Sequence, residues 1–278
     1  MRGLIDFDNP NTFPIELSEW GMGFENMILN RISLEGVSEW WQIEHQLQDL
    51  HIGEIEIVKQ FVEENADTEI AVCHCARILD INEYWKNGII TGGGKNSVGE
   101  KRIRKLLLDI KLTDEQIEEV FSHIYALWNR DKTSRTESVH FFIDKNQVYE
   151  DDRLNHFAIS LGGEILRWSL EAIDREIYKQ EPYKRLWIKG TPSVIKFKCK
   201  LCDIHERCRN DLIAEIVKYY IVNNIYHYQY EFEFTGMTVG SIPPKDIISI
   251  EEIQDYIQMQ EKYPDYNGFY DELKIERN

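Results

Sequence analysis

Strand-like runs are scattered along this chain between unequal groups of helices, and that irregular order limits its fold more than any other feature. "TEIAVCH" (68–74) is a short apolar run, "SVHFFID" (138–144) alternates weakly, and "SVIKFKCKL" (193–201) alternates cleanly. "HYQYEFEFTG" (227–236) alternates strictly and predicts a strand with Glu231 and Glu233 on one face and Tyr230, Phe232 and Phe234 on the other. Helices precede, separate and follow these runs without the steady strand–helix–strand rhythm of a doubly wound sheet, so the expected class is α+β.

Residues 1–14 look irregular, with Pro10 and Pro14. The segment from Ser38, a residue suited to capping a helix start, to Asp67 is mostly helical, with a break expected at Gly53. This predicts an N-terminal helical subdomain over 1–66 and a second domain over 67–278. Within the latter, a helix is expected over 78–87 with Gly88 as its C-terminal cap. "TGGGKNSVG" (91–99) reads as a loop, and helices are expected over 99–110 and 113–130. Thr113 and Gln116 have the spacing of a capping box. Leu166, Leu170, Ile173 and Ile177 form one apolar stripe, residues 209–221 read as a helix, and the tail from 251 reads as helical and acidic.

A chain of 278 residues with 42% hydrophobic content can bury a real core. No apolar run is long enough to span a bilayer, and the N-terminus has acids and a proline where a signal peptide needs an apolar core. Five cysteines, an odd number, fit a reducing compartment, so a cytoplasmic protein without membrane attachment is expected. A net charge of −17 argues against nonspecific nucleic-acid binding, which needs a positive face to displace counterions. "KRIRK" (101–105) and "KFKCK" (196–200) with "ERCR" (206–209) are local basic clusters, read most simply as solvated faces.

Several chemistries are weakly signalled. Cys199, Cys202, His205 and Cys208 are soft ligands at two-residue gaps, but structural zinc sites bring two pairs together from separate elements, so no metal is expected. "TGGGKNS" lacks the frame of a phosphate-binding P-loop. No serine sits in a nucleophile elbow, and nothing marks Cys73 or Cys75 as a thiolate. What remains is His74 and Arg77 at the end of the apolar run, Glu164 after a Gly-Gly turn, and the Glu231/Glu233 pair.

Taken together, the His74-Cys75-Ala76-Arg77 segment, a helix closing at Asn87-Gly88-Ile89, the late Glu231 and Glu233, and "GSIPPKDI" (240–247) resemble the ADP-ribosyltransferase fold over about residues 69–250. The resemblance implies a split mixed or antiparallel sheet core with a helical insertion, and an enzyme that uses NAD as its substrate. It implies that His74 hydrogen-bonds a ribose hydroxyl and Arg77 pairs with the pyrophosphate, with Tyr84 and Phe141 as stacking partners. A carboxylate would stabilise the oxocarbenium-like ribosyl carbon, with Glu233 or Glu231 favoured over Glu164. It further implies a mono-ADP-ribosyltransferase, a glycosyltransferase acting as a toxin or antiviral defence effector on a protein or nucleic-acid acceptor, with a cognate inhibitor as a possible partner. An RNA 2′-phosphotransferase, which leans on more basic residues, and a non-catalytic scaffold protein are the alternatives.

Overall fold

The structure is a computed structural model that describes residues 3–24, 40–91, 93–130, 132, 136–150, 163–173, 186, 189–225, 227 and 230–253. It is an α+β arrangement. Strands β1 (Leu4–Asp6), β2 (Glu69–Ile78), β3 (Ser138–Phe142), β4 (Thr191–Lys200), β5 (Thr235–Val239) and β6 (Ile247–Glu252) form one sheet in the order β5-β3-β2-β4-β6, with β1 on β2. The β1–β2 pair is parallel, whereas β2–β3 and β4–β6 are antiparallel. No helix among the described residues is long and apolar enough to cross a membrane.

The chain divides into two compact units, one of residues 1–73, 140–145 and 198–239, the other of 74–139, 146–197 and 240–278. In the first unit, helices α2 (Trp40–Asp49) and α3 (Glu56–Glu64) come from the segment expected to be helical, and α1 (Ile15–Gly23) precedes it. Gly53 sits in a 3₁₀ turn between α2 and α3, at the expected break. Ser38 lies outside the described residues. The stretch expected to be irregular contains β1, whose Ile5 pairs with Ile70. A three-residue strand is too short to show a period, so its partner defines it.

The second unit supplies α4 (Ile81–Asn87), α5 (Val98–Asp109), α6 (Asp114–Arg130), α7 (Gln147–Glu150) and α8 (Gly163–Ile173). Helix α5 starts where Ser97 accepts the Glu100 amide at 3.0 Å. The Thr113–Gln116 capping box before α6 is formed in both directions, at 3.3 and 3.0 Å. Ile103 and Leu107 of α5, Ile117, Phe121 and Ile124 of α6, and Leu166 and Leu170 of α8 make one apolar cluster. Ile177 of the expected α8 stripe and the tail from 254 lie outside the described residues. Residues 251 and 252, expected in a helix, belong to β6.

Helix α9 (Glu206–Tyr220) is the centre of the first unit. It buries Leu212, Ile213, Ile216 and Val217 completely and packs against α1, α3 and the 3₁₀ turn at Ile52–Glu54. Gly21 permits the approach of α1, because a Cβ there would lie 2.2 Å from the Tyr220 ring. Ser18 and Tyr220 share a hydrogen bond of 2.6 Å across the same crossing.

A polar hub ties α5 to α6. The Glu100 carboxylate takes hydrogen bonds from Arg104 Nε and Tyr125 OH, each at 2.7 Å, and from the Asn96 amide. Burial works to raise the Glu100 pKa, but these donors outweigh it and hold the carboxyl below its usual value of 4.5. Arg104 continues to Glu118 at 2.6 Å and lies 4.1 Å from the Phe121 ring centroid.

Two outcomes are expected. Leu107, fully buried, should cost about 2–5 kcal/mol on truncation to alanine, measured by urea unfolding. Because the folded-state pKa of Glu100 is depressed, its stabilisation is present above the unfolded-state value and is lost as pH falls through the folded one. Glu100→Gln should therefore be less stable than wild type at pH 7, with the gap closing in acid.

Candidate functional site

In the second unit the candidate residues cluster in sequence around the exit of β2 and the helix after it. β2 is longer than expected: it runs to Ile78, and α4 starts only at Ile81, with Asp80 capping the Asn82 amide at 2.9 Å. His74 is thus inside a strand rather than at its end. Side chains three apart on a strand point to opposite faces. Along β2, His74 and Ala76 are half-buried, whereas Cys73, Cys75 and Arg77 are buried. Arg77 lies 6% exposed, and its Nε donates to the Lys189 carbonyl at 2.6 Å. Burial pushes the Cys75 thiol up, which leaves it protonated and unreactive at neutral pH.

Helix α4 ends as expected at Gly88, whose amide donates to the Tyr84 carbonyl at 2.8 Å. Gly88 has φ +75°, and a Cβ there would lie 1.9 Å from the Ile242 carbonyl oxygen. Only glycine allows this approach. Ile89 and Ile242 then exchange two backbone hydrogen bonds, both 2.9 Å, and Ser241 Oγ accepts the Thr91 amide at 2.9 Å. The Asn87-Gly88-Ile89 and Gly240–Pro244 segments are therefore joined within this unit. Tyr84 is half-buried, and burial raises its phenol pKa, so the hydroxyl stays a neutral donor. Glu164 lies in the first turn of α8, where the helix dipole favours an acid.

The first unit holds the other candidates. The strand expected over 227–236 is assigned only from Thr235, and residues 230–234 belong to no strand. The alternation itself persists: Tyr230 and Phe232 are buried, and Glu231 and Glu233 are exposed. A period of two shows which side chains share a face, but backbone pairing depends on a neighbouring strand that the segment itself does not encode. Phe141 is 2% exposed and packs against Phe234 at 6.3 Å between ring centroids.

The structure thus brings Glu231 and Glu233 to one face of an extended stretch, and His74, Arg77, Tyr84 and Glu164 into one unit, with His74 and Arg77 on opposite faces of β2. A strand expected to stop at His74 leaves Arg77 off its ladder; the longer strand carries the two-residue period through Arg77 and turns it away from the histidine.

Members of both basic clusters have partners. Arg102 pairs with Glu83 at 3.1 Å, and Lys198 and Lys200 pair with Glu69 and Asp67 at 2.7 Å. The Lys200 hydrogen bond and charge hold the Asp67 carboxyl below its usual range. Arg209 donates to the Ile204 and Cys202 carbonyls, both at 2.6 Å. Cys199 is buried in β4, and the His205 ring caps α9 by accepting the Arg207 amide at 3.4 Å. Among the described residues, no group of three or more His, Cys, Asp or Glu is arranged to hold a metal ion.

No family model matches this chain, and neither a curated protein nor a solved structure matches it.

Gly88→Ala should destabilise the protein by about 3 kcal/mol or more, since it combines a left-handed φ with a backbone clash. Gly23→Ala, where a Cβ meets nothing within 4 Å, should change stability by no more than about 1 kcal/mol. Urea midpoints of the two variants check this.

Proposed function

We propose that this chain is an NAD-consuming mono-ADP-ribosyltransferase that modifies a macromolecular acceptor, as a toxin or defence effector. The observation that supports the reading most is the pairing of Ile89 with Ile242, which joins two of the segments that carry the resemblance. Cleaving the nicotinamide–ribose bond builds positive charge on the ribosyl carbon. A carboxylate preorganised beside it lowers that barrier.

His74, half-buried on its face of β2, holds the sugar by a hydrogen bond in this proposal. Tyr84 offers a neutral phenol and a half-buried ring for a hydroxyl or the nicotinamide. Arg77 lies on the face of β2 opposite His74 with its Nε bonded to the Lys189 carbonyl, so in this proposal it braces the backbone there and does not share the dinucleotide with His74. Phe141 serves the core of its unit. Glu233 and Glu231 are exposed acids, one to stabilise the cation and the other to take a proton from the acceptor; Glu164 is the rival for the first role.

The net charge of −17 favours a protein acceptor over a nucleic acid, because a phosphate backbone needs a positive face. The same excess of acid counts against an RNA 2′-phosphotransferase.

Incubation with NAD should release nicotinamide. His74→Ala and one of Glu233→Gln, Glu231→Gln or Glu164→Gln should lower that rate at least about a hundredfold, the scale of losing a preorganised charge. Absence of nicotinamide release and of NAD binding, in the presence of a cell lysate as acceptor source, would sink the reading.

A further inference from the structure

Glu231 and Glu233 lie in a stretch assigned to no strand, yet their neighbours Tyr230 and Phe232 are buried. The stretch is extended, with every second side chain buried. Tyr230 is 6% exposed and Phe232 is 4% exposed. Phe232 packs edge-on to Phe7 at 4.9 Å and stacks on Tyr219 at 5.3 Å. The Tyr230 amide donates to Asn223 Oδ1 at 2.9 Å, and its hydroxyl donates to Glu215 Oε2 at 2.7 Å.

The receiving carboxylate is itself fixed. Glu215 is 6% exposed on α9, and Lys218 Nζ lies 2.6 Å from its other oxygen. Lys218 and Tyr230 thus supply a donor to each oxygen of a buried carboxyl group, whose desolvation would be costly without them. Asn223 lies in a π-helical turn, Ile221–Ile225, that continues α9. Such turns are rare and recur at functional sites. Both polar anchors of Tyr230 therefore come from one helix and its extension, all within the first unit.

We propose that Tyr230 is the positioning residue for the Glu231/Glu233 pair. Its hydroxyl bond to Glu215 and its amide bond to Asn223 fix the backbone that aims the two carboxylates. The assignment of work to those carboxylates rests on the transferase reading; the anchoring itself does not. Removing the hydroxyl leaves the packing surface of the ring in place but strips Glu215 of a donor and loosens the stretch after it.

The test uses full-length Tyr230→Phe. Amide hydrogen exchange at 231–234 should speed up at least tenfold, with exchange in α6 unchanged. In an enzyme that releases nicotinamide, kcat per folded molecule should fall at least tenfold while KM for NAD stays within twofold, with the folded fraction fixed by urea unfolding so that loss of active protein is separated from loss of positioning. Unchanged exchange at 231–234 would overturn the proposal. A wild-type protein that releases no nicotinamide defeats the transferase reading alone, because exchange still decides the anchoring. Should Tyr230→Phe lose cooperative unfolding, Asn223→Ala removes the amide anchor only. Faster exchange confined to 230–234 then supports the role of Tyr230, and exchange matching wild type overturns it.

Discussion

The two-residue period of β2 governs what this molecule can present. A ten-residue strand, Glu69–Ile78, holds a histidine and an arginine three positions apart, and the pleat sends them to opposite faces. Each is then committed differently. His74 stays half-buried, while Arg77 is buried with Nε on a backbone carbonyl. A buried guanidinium must find acceptors, so Arg77 organises the chain at Lys189–Gly190 whatever else it does. Gly190 accommodates that proximity: its φ is +77°, and a Cβ there would lie 2.7 Å from the Ile78 carbonyl oxygen.

Elsewhere charge is settled locally, and this shapes the functional reading. The chain is strongly acidic, and members of each basic cluster are paired with nearby carboxylates or carbonyls. The pairs on the surface contribute little stability individually. Their consequence is local: Arg102, Lys198 and Lys200 each face a carboxylate. In contrast, the pairs around Glu100 and Glu215 are buried and hydrogen-bonded on both oxygens, so they fix geometry. One ties two helices of the second unit together, and the other holds the segment bearing Glu231 and Glu233.

Much of the local structure was legible in residue order. The Thr113–Gln116 box, the Gly88 cap, the break at Gly53 and the apolar stripe of α8 arise from groups a few residues apart, whose interactions do not depend on distant chain. Less legible were features that need a partner. β1 exists because Leu4–Asp6 lies beside Glu69–Ala71. The Tyr230 stretch alternates like a strand but is held by Glu215 and Asn223, which no sequence spacing announces. For the candidate site, residue types and faces at 231 and 233 were readable, whereas the fate of Arg77 turned on where β2 ends.

By itself, the sequence determined the α+β class, the helix boundaries set by local caps, and the alternation that turns Glu231 and Glu233 to one side, because all of these depend on neighbours within a turn or two of backbone. Only the tertiary structure decided which lysines are neutralised, how a tyrosine hydroxyl reaches a buried glutamate, and that Ile89 and Ile242 join across more than a hundred residues. Those contacts arise from the burial of apolar surface, which brings distant polar groups within reach and then requires that each be satisfied.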